Sequence, residues 1–497
     1  MPLLFEQLPT DITLEVVKLL ELPNPLTLLL TCSSLYKLSN DRIFWISVSE
    51  TTRKRYPIGC PVYADLSQYT LEALKGLVVS WMKLQHSWDQ PSPKIVQPVT
   101  STPLSGRGRI IFNVQGTDIL VLAIEGRVFC WDSKLATPFP FPPIETGGRI
   151  TRVSGPADAP GICSLAILAE PMHNHQFAIC HVSNLGSGNS SRYVIIIRHA
   201  DGKATSFTSQ FSEVSRVHDG RYFESLFLTE DMVGRTVAMD SREDCIVTVG
   251  AVSGDNHLAD STSVLKLHRP AFSVPTPIAS SQLTICQVSH QDLVISFAYQ
   301  GHLYTLLENN SSVEIHHVSC KNLQSGRCEQ SGLHSSEILS YCPESSAFCY
   351  LTPSAPFYGI SAVFVRVDWV ESGLMTTFTF LPNTLTHAPD DGFSSPLAFD
   401  SPCVTESISG ELNHLGCVWL DHSGFNLVTV IQPDAVDLPT WLLLVRYHPD
   451  TRSISTHRLD VPDTIDLSNL GSLCVDDTAG AVHLVDDEGI LSTLRYV

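Results

Sequence analysis

Residues Gly116–Lys134 read GTDILVLAIEGRVFCWDSK. An apolar run, a two-residue break at Glu125-Gly126 and a second apolar run spell strand, tight turn, strand. The second strand ends on Trp131-Asp132, in the manner of a WD-type blade, although the Gly-His partner of that repeat is absent. The same rhythm returns without the tryptophan at Asp476–Tyr496, DDTAGAVHLVDDEGILSTLRY.

Between these two stretches the texture barely changes. Short runs rich in Val, Ile, Leu, Phe and Thr alternate with Gly, Asp, Asn and Ser turns from about Pro98 onward, and no amphipathic helix is expected to interrupt them. So long an all-β region exceeds one sandwich, and radial repetition of small antiparallel sheets is the economical solution. At about 50–60 residues per blade the spacing allows six to eight blades, with seven expected. The last strand, Leu491–Tyr496, is placed to close the ring on residues 95–115.

The amino-terminal stretch is of another kind. Phe5–Ser49 reads FEQLPTDITLEVVKLLELPNPLTLLLTCSSLYKLSNDRIFWISVS. Thr10 or Asp11 can cap a helix in which Ile12, Val16, Leu19 and Leu20 follow the helical period. Pro23 and Pro25 stop it, with Asn24 capping the next. Leu26–Leu30 form a second helix, Ser33 or Ser34 opens a third, and Asn40-Asp41 mark a turn before Ile43, Phe44 and Trp45. So short a module cannot bury Leu14, Val17, Leu26, Leu28, Leu29, Leu30, Leu35, Ile43, Phe44 and Trp45 within itself. The surplus must face the rest of the chain or a partner.

The order Leu8-Pro9, Ile12, Glu15-Val16, Leu19-Leu20, Leu28, Cys32, Leu35–Leu38 and Trp45 resembles the F-box motif without a gap. The resemblance covers under a tenth of the chain. It implies a module that binds the Skp adaptor and, through it, a cullin scaffold carrying a RING subunit and a charged ubiquitin-conjugating enzyme. Carried over residue by residue, Leu8, Pro9, Ile12, Val16, Leu19, Leu28, Cys32 and Trp45 are the adaptor contacts or their direct supports. Spacing does not separate the two roles.

The expected organisation is multidomain: an all-α F-box module over 1–48, a linker over 49–94 and a β-propeller over 95–497. Within the linker, TLEALKGLVVSWMKLQHSW is a connector helix at about 70–88. Thr70 is its cap, and Leu71, Leu74, Val78, Trp81, Leu84 or Gln85, and Trp88 form its apolar face. The order F-box, helix, divergent propeller is similar to a group of fungal F-box proteins. That resemblance implies a non-catalytic substrate receptor whose propeller captures a protein. The competing expectations are an interaction scaffold without a ubiquitination role, and an enzyme built on a propeller with paired carboxylates in its channel.

Composition narrows the partners. The chain has 497 residues, 43 % hydrophobic and 16 % charged, with 51 acidic against 31 basic residues and a net charge of −20. That balance disfavours nucleic acid and anionic membranes. No secretory signal or membrane span is expected, and 14 scattered cysteines fit reduced thiols in cytoplasm or nucleus. No cofactor, catalytic constellation or metal site is expected. His173 and His175 with nearby His181, and His316-His317 with Cys320, lack a third ligand at suggestive spacing. Asp476-Asp477 and Asp486-Asp487-Glu488 read as turn acids rather than calcium ligands. Pro138–Pro143 (PFPFPP) reads as a stiff surface insertion and Gly186–Ser191 as a flexible turn.

Overall fold

The computed structural model describes residues 9–20, 24–61, 63–171, 190–214, 222–239, 244–251, 259–268, 294–309, 312–324, 334–340, 347–353, 358–370, 373–385, 397–398, 403–410, 413–433 and 439–497. Five helices come first: α1 Thr10–Leu19, α2 Asn24–Leu29, α3 Ser33–Lys37, α4 Arg42–Arg53 and α5 Leu71–Trp88. Antiparallel sheets then follow to the end of the chain.

The caps differ in part from expectation. Helix α1 starts after Pro9, whose fixed φ suits the boundary, and it carries no side-chain cap. The Cys32 thiol and the Asp41 carboxylate cap α3 and α4, accepting from the N–H groups of Leu35 and Ile43. Thr70 caps α5 as expected, its hydroxyl accepting from Ala73 N–H at 3.2 Å. Helix α4 crosses residue 48, and it shares one apolar core with α5. Val17, Leu29, Phe44, Trp45 and Val48 pack there with Leu66, Leu74, Val78 and Trp81.

Among the described residues seven sheets of four or more strands succeed one another, and a separate two-stranded ribbon pairs Thr384–Leu385 with Leu397–Ala398. Sheet I holds Gly108–Asn113, Ile119–Ile124 and Arg127–Asp132; sheet II runs from Gly148–Val153 to Lys203–Val214; sheet III from Tyr222–Leu228 to Ala259–His268. Sheet IV runs from Val294–Tyr299 to His334–Ser340, sheet V from Ala347–Leu351 to Val404–Gly410, and sheet VI from Asn413–Leu420 to Ser453–Leu459. Sheet VII combines Leu470–Asp476, Ala481–Asp486 and Ile490–Arg495 with Thr100–Pro103, so the two ends of the β region pair and close the ring.

The expected count of seven blades needs correction. Six sheets carry four uninterrupted strands and are complete blades. In sheet I the outer strand is broken into Thr137–Pro138 and Ile144–Glu145, both paired to Arg127–Asp132. The break is the PFPFPP stretch, whose prolines lack the N–H a ladder needs. Phe139 and Phe141 stack there, ring centroids 6.2 Å apart, and pack onto the core shared by sheets I and II. The all-β expectation also gives way briefly at a short helix, Cys320–Gln324.

Local chemistry explains much of the strand placement. Glu125-Gly126, Asp201-Gly202 and Gln300-Gly301 all have positive φ at both positions, the backbone of two-residue hairpin turns. Between sheets, apolar side chains interlock: Ile111 and Val121 with Leu165 and Ile195, and Leu427 and Val445 with Val363 and Phe378. Sheets III and IV also join through hydroxyls: Thr236 meets Ser296 at 2.7 Å, and Ser225 Oγ accepts from Ser296 N–H at 2.8 Å.

Candidate docking surface

In a four-stranded meander the first and third turns lie at one end and the second turn and the exit at the other. The helical segment sits on the first-turn end. Tyr56 stacks between Trp81 of α5 (4.9 Å) and Phe425 in the first turn of sheet VI (5.9 Å). Cys60 abuts Gly116 in the first turn of sheet I, so closely that a β-carbon at 116 would lie 2.2 Å from the Cys60 backbone. Burial raises the Tyr63 phenol, and Asp158 and Glu230, beside sheets II and III, add to the rise. The 54–69 loop therefore spans the first turns of sheets VI and I.

Helix α5 is fastened at its far end. Leu84 and Trp88 enter the core of sheets VI and VII. Buried Arg446 donates from Nη1 to Asp89 at 2.6 Å, from Nη2 to Gln85 at 2.5 Å and from Nε to Asn426 at 3.0 Å. Asn426 in turn donates to Asp421. Ser87 donates to the Tyr496 carbonyl at 2.7 Å, tying the same helix to the last strand.

Beneath this cap lies a buried polar cluster. Asp421, His422, Ser423 and Asp477 are fully buried where the first turns of sheets VI and VII meet. Burial pushes the Asp421 carboxyl up to about 6 and Asp477 well above the carboxylate range, with the Asp421 charge adding to the latter. Burial holds the His422 imidazole down at about 4 while it bonds Asn113 at 2.5 Å. This is a pair of carboxylates on neighbouring sheets, yet both lie inside packed protein. Asp421 accepts from Gly424 and Asn426 N–H groups, and Asp477 accepts from Ser423 N–H. Those of Asp421 fix its own turn and that of Asp477 joins the turns of sheets VI and VII, while Asp477 Oδ1 has no partner among the described residues.

The residues expected to contact an adaptor divide by burial. Leu8 lies outside the described residues. Pro9 is exposed, Ile12 is 46 % and Leu19 80 % exposed, and Val16 is half-buried between them. Positions 12, 16 and 19 form one stripe of α1, about 100° around the helix from buried Thr13 and Val17. Leu28 and Cys32 are half-buried, Cys32 serving as the α3 cap. Trp45 is buried and its indole donates to the Ser39 carbonyl at 2.8 Å, so it supports the helices from within. Sequence spacing did not single out Tyr36, which is 58 % exposed, with Leu30 and Ile43 of the same segment exposed at 77 % and 61 %. Only burial distinguishes it from a core aromatic.

Other candidates resolve differently. His173, His175 and His181 lie outside the described residues, as does most of Gly186–Ser191. The buried His316 ring faces Glu314 at 3.2 Å. Asp476 accepts from Thr478 and Ala479 N–H groups, and Asp486 from Ile490 N–H, as turn acids do. Among the described residues no group of three or more His, Cys, Asp or Glu is placed to hold a metal, and no helix is long and apolar enough to cross a membrane.

No family model and no curated protein matches this sequence. A search of solved structures finds similarity to a chain from "Crystal Structure of Mitotic Checkpoint Complex". It has 10 % identity and a TM-score of 0.36, covering 82 % of this chain and 93 % of that one. The propeller itself is established by the ring of sheets, a fold consistent with a protein-interaction scaffold.

Proposed function

We propose that this chain is a non-catalytic substrate receptor of a ubiquitin ligase. Its helical segment docks on a Skp-type adaptor, and through it a cullin, and its propeller captures a protein substrate. The observation that carries the reading is the exposed apolar stripe Ile12–Val16–Leu19 on a helix whose Thr13–Val17 side is buried. A stable monomer gains nothing from leaving such side chains in water, whereas a partner groove buries them at about 25 cal/mol per Å². The rigid mount of α5 on sheets VI and VII suits the role, because holding a bound protein at a fixed distance raises the effective concentration of its lysines near the conjugating enzyme. Cytoplasm or nucleus is the compartment this role requires.

The test is co-purification of the chain with the Skp adaptor, comparing wild type with Leu19→Asp and with Leu8→Ala/Pro9→Ala. A complex formed by wild type and lost in the variants is the expected result. Failure of the wild-type chain to bind would remove the receptor reading and leave a helical cap on a propeller scaffold.

A further inference from the structure

The first turns of sheets VI and VII carry three carboxylates out of reach of water, and the donors around them are shared unequally. Asp421, Asp476 and Asp477 are 0 %, 4 % and 1 % exposed. Asp421 accepts from the Gly424 and Asn426 N–H groups, the Ser423 hydroxyl and the Asn426 side-chain amide. Asp476 accepts from the N–H groups of Thr478 and Ala479, each at 2.9 Å, and from the Thr478 hydroxyl at 2.6 Å. Asp477 accepts one bond, from Ser423 N–H at 3.3 Å, and its Oδ1 has no partner among the described residues. Burial raises its carboxyl first, with the charges of Asp421 and then Asp476 pushing the same way. The titratable groups that face it from other elements supply no counter-charge. Burial holds His422 neutral, and burial keeps Tyr358 beside sheet V and Cys474 of sheet VII protonated, with the Asp477 charge adding to both. The nearby cations serve its neighbours: Arg446 acts on Asp421, Arg495 on Asp476 and Arg53 on Tyr358.

A buried carboxylate supplied with several donors is stable as the ion, whereas an ionised oxygen without a donor is not. Where like charges crowd one buried site, a proton is retained. The donor inventory assigns that proton to Asp477. The same two turns seat the helical segment. Phe425 meets Tyr56 at 5.9 Å, and Gly480 lies so close to Leu84 of α5 that a β-carbon at 480 would come within 2.6 Å of its Cδ1. The Ser423–Asp477 bond ties one turn to the other. A charge on Asp477 would face Asp421 across that tie and Asp476 beside it, and repulsion at low dielectric is strong.

We propose that Asp477 is a neutral carboxylic acid in the folded protein at neutral pH, and that loss of its proton at alkaline pH loosens the seat of the helical segment on sheets VI and VII. The device does not depend on what the helices dock on. Below about pH 3.9 the folded and unfolded chains both hold this proton. Above that the unfolded chain releases it and the folded chain keeps it, so its contribution to stability falls as pH rises, until the folded group ionises.

The experiment is infrared difference spectroscopy of the full chain in heavy water, with thermal melts and amide hydrogen exchange across pH. Wild type, Asp477→Asn and Asp421→Asn are compared. A protonated-carboxyl stretch at pH 7 that is present in wild type and Asp421→Asn and missing in Asp477→Asn is expected. Asn copies the shape of the neutral acid and cannot ionise, so Asp477→Asn should melt about 3 °C or more above wild type at pH 8 and within about 1 °C of it at pH 4. Amide exchange over residues 54–88, corrected for its intrinsic pH dependence, should accelerate at least about tenfold in wild type once the stretch is lost, and not in Asp477→Asn. If Asp477→Asn does not fold, the stretches of wild type and Asp421→Asn still decide: their absence at pH 7 overturns the proposal. So does a folded Asp477→Asn no more stable than wild type at pH 8, or exchange that ignores the loss of the stretch. A wild-type melting point lowered by EDTA would place a cation between the carboxylates and also overturns it.

Discussion

The covered end of the propeller and the outer face of α1 are built on opposite terms. At the covered end, charge is taken out of water and matched: Arg446 meets Asp89, Gln85 and Asn426, and Asp421 is wrapped by N–H donors. Aromatic rings of the 54–88 region fill what remains, Tyr56 against Phe425 and Trp88 within the sheet VI–VII core. On α1, by contrast, apolar Ile12 and Leu19 stay 46 % and 80 % exposed. A buried end whose charges are matched holds the helices in place, and an apolar stripe left in water is open to a partner.

The comparison can be broken at the covered end first. Trp88 is 1 % exposed. Trp88→Ala should cost about 3–5 kcal/mol, by analogy with other large-to-small core changes, in a urea unfolding curve. A cost under about 1 kcal/mol would mean that α5 merely rests on the sheets. Next is Arg446→Met. It strands Asn426 and Asp421 in the interior, but Asp89 is half-exposed and partly rehydrated. A loss of about 2 kcal/mol is expected, below that of a fully buried pair.

The third prediction concerns pH. His422 and His483 are buried neutral, held down at about 4 and about 3. Their folded values lie below the unfolded value near 6.5, so the unfolded chain binds more protons in between. Their contribution to stability is complete above about pH 6.5 and is lost as pH falls, with a slope of at most about 1.4 kcal/mol per pH unit for each. Asp421, raised to about 6, acts in the opposite direction: the folded chain binds its proton more readily between about 4 and 6, so it favours the folded state as pH falls there. Denaturant midpoints at several pH values should therefore show a shallower acid loss in His483→Gln than in wild type. Identical slopes would contradict burial of a neutral ring at 483.

The smallest stability effect belongs to the proposed docking stripe. Leu19→Asp should change folding stability by less than about 0.5 kcal/mol, because the side chain is 80 % exposed, while removing adaptor binding. A large loss of stability would show that Leu19 packs against the body of the protein and would weaken the sharp contrast between a structural and a binding face of α1.

Several of these features were legible in the chain and several were not. The sequence by itself determined the strand–turn–strand rhythm, since period-two apolar runs and Glu125-Gly126 allow little else, and the Thr70-capped helix with Leu74, Val78, Trp81 and Trp88 on one face. It also determined the chemical character of the α1 stripe. Only the tertiary structure decided which apolar residues stay wet, because Leu19 and Val17 are equally apolar and differ only in what packs against their side of the helix. The broken outer strand of sheet I and the Arg446 fastening to Asp89 were likewise decided there. Each depends on ring closure bringing together residues that local propensity treats independently, and propensity acts over a few residues while closure joins Thr100 to Thr493.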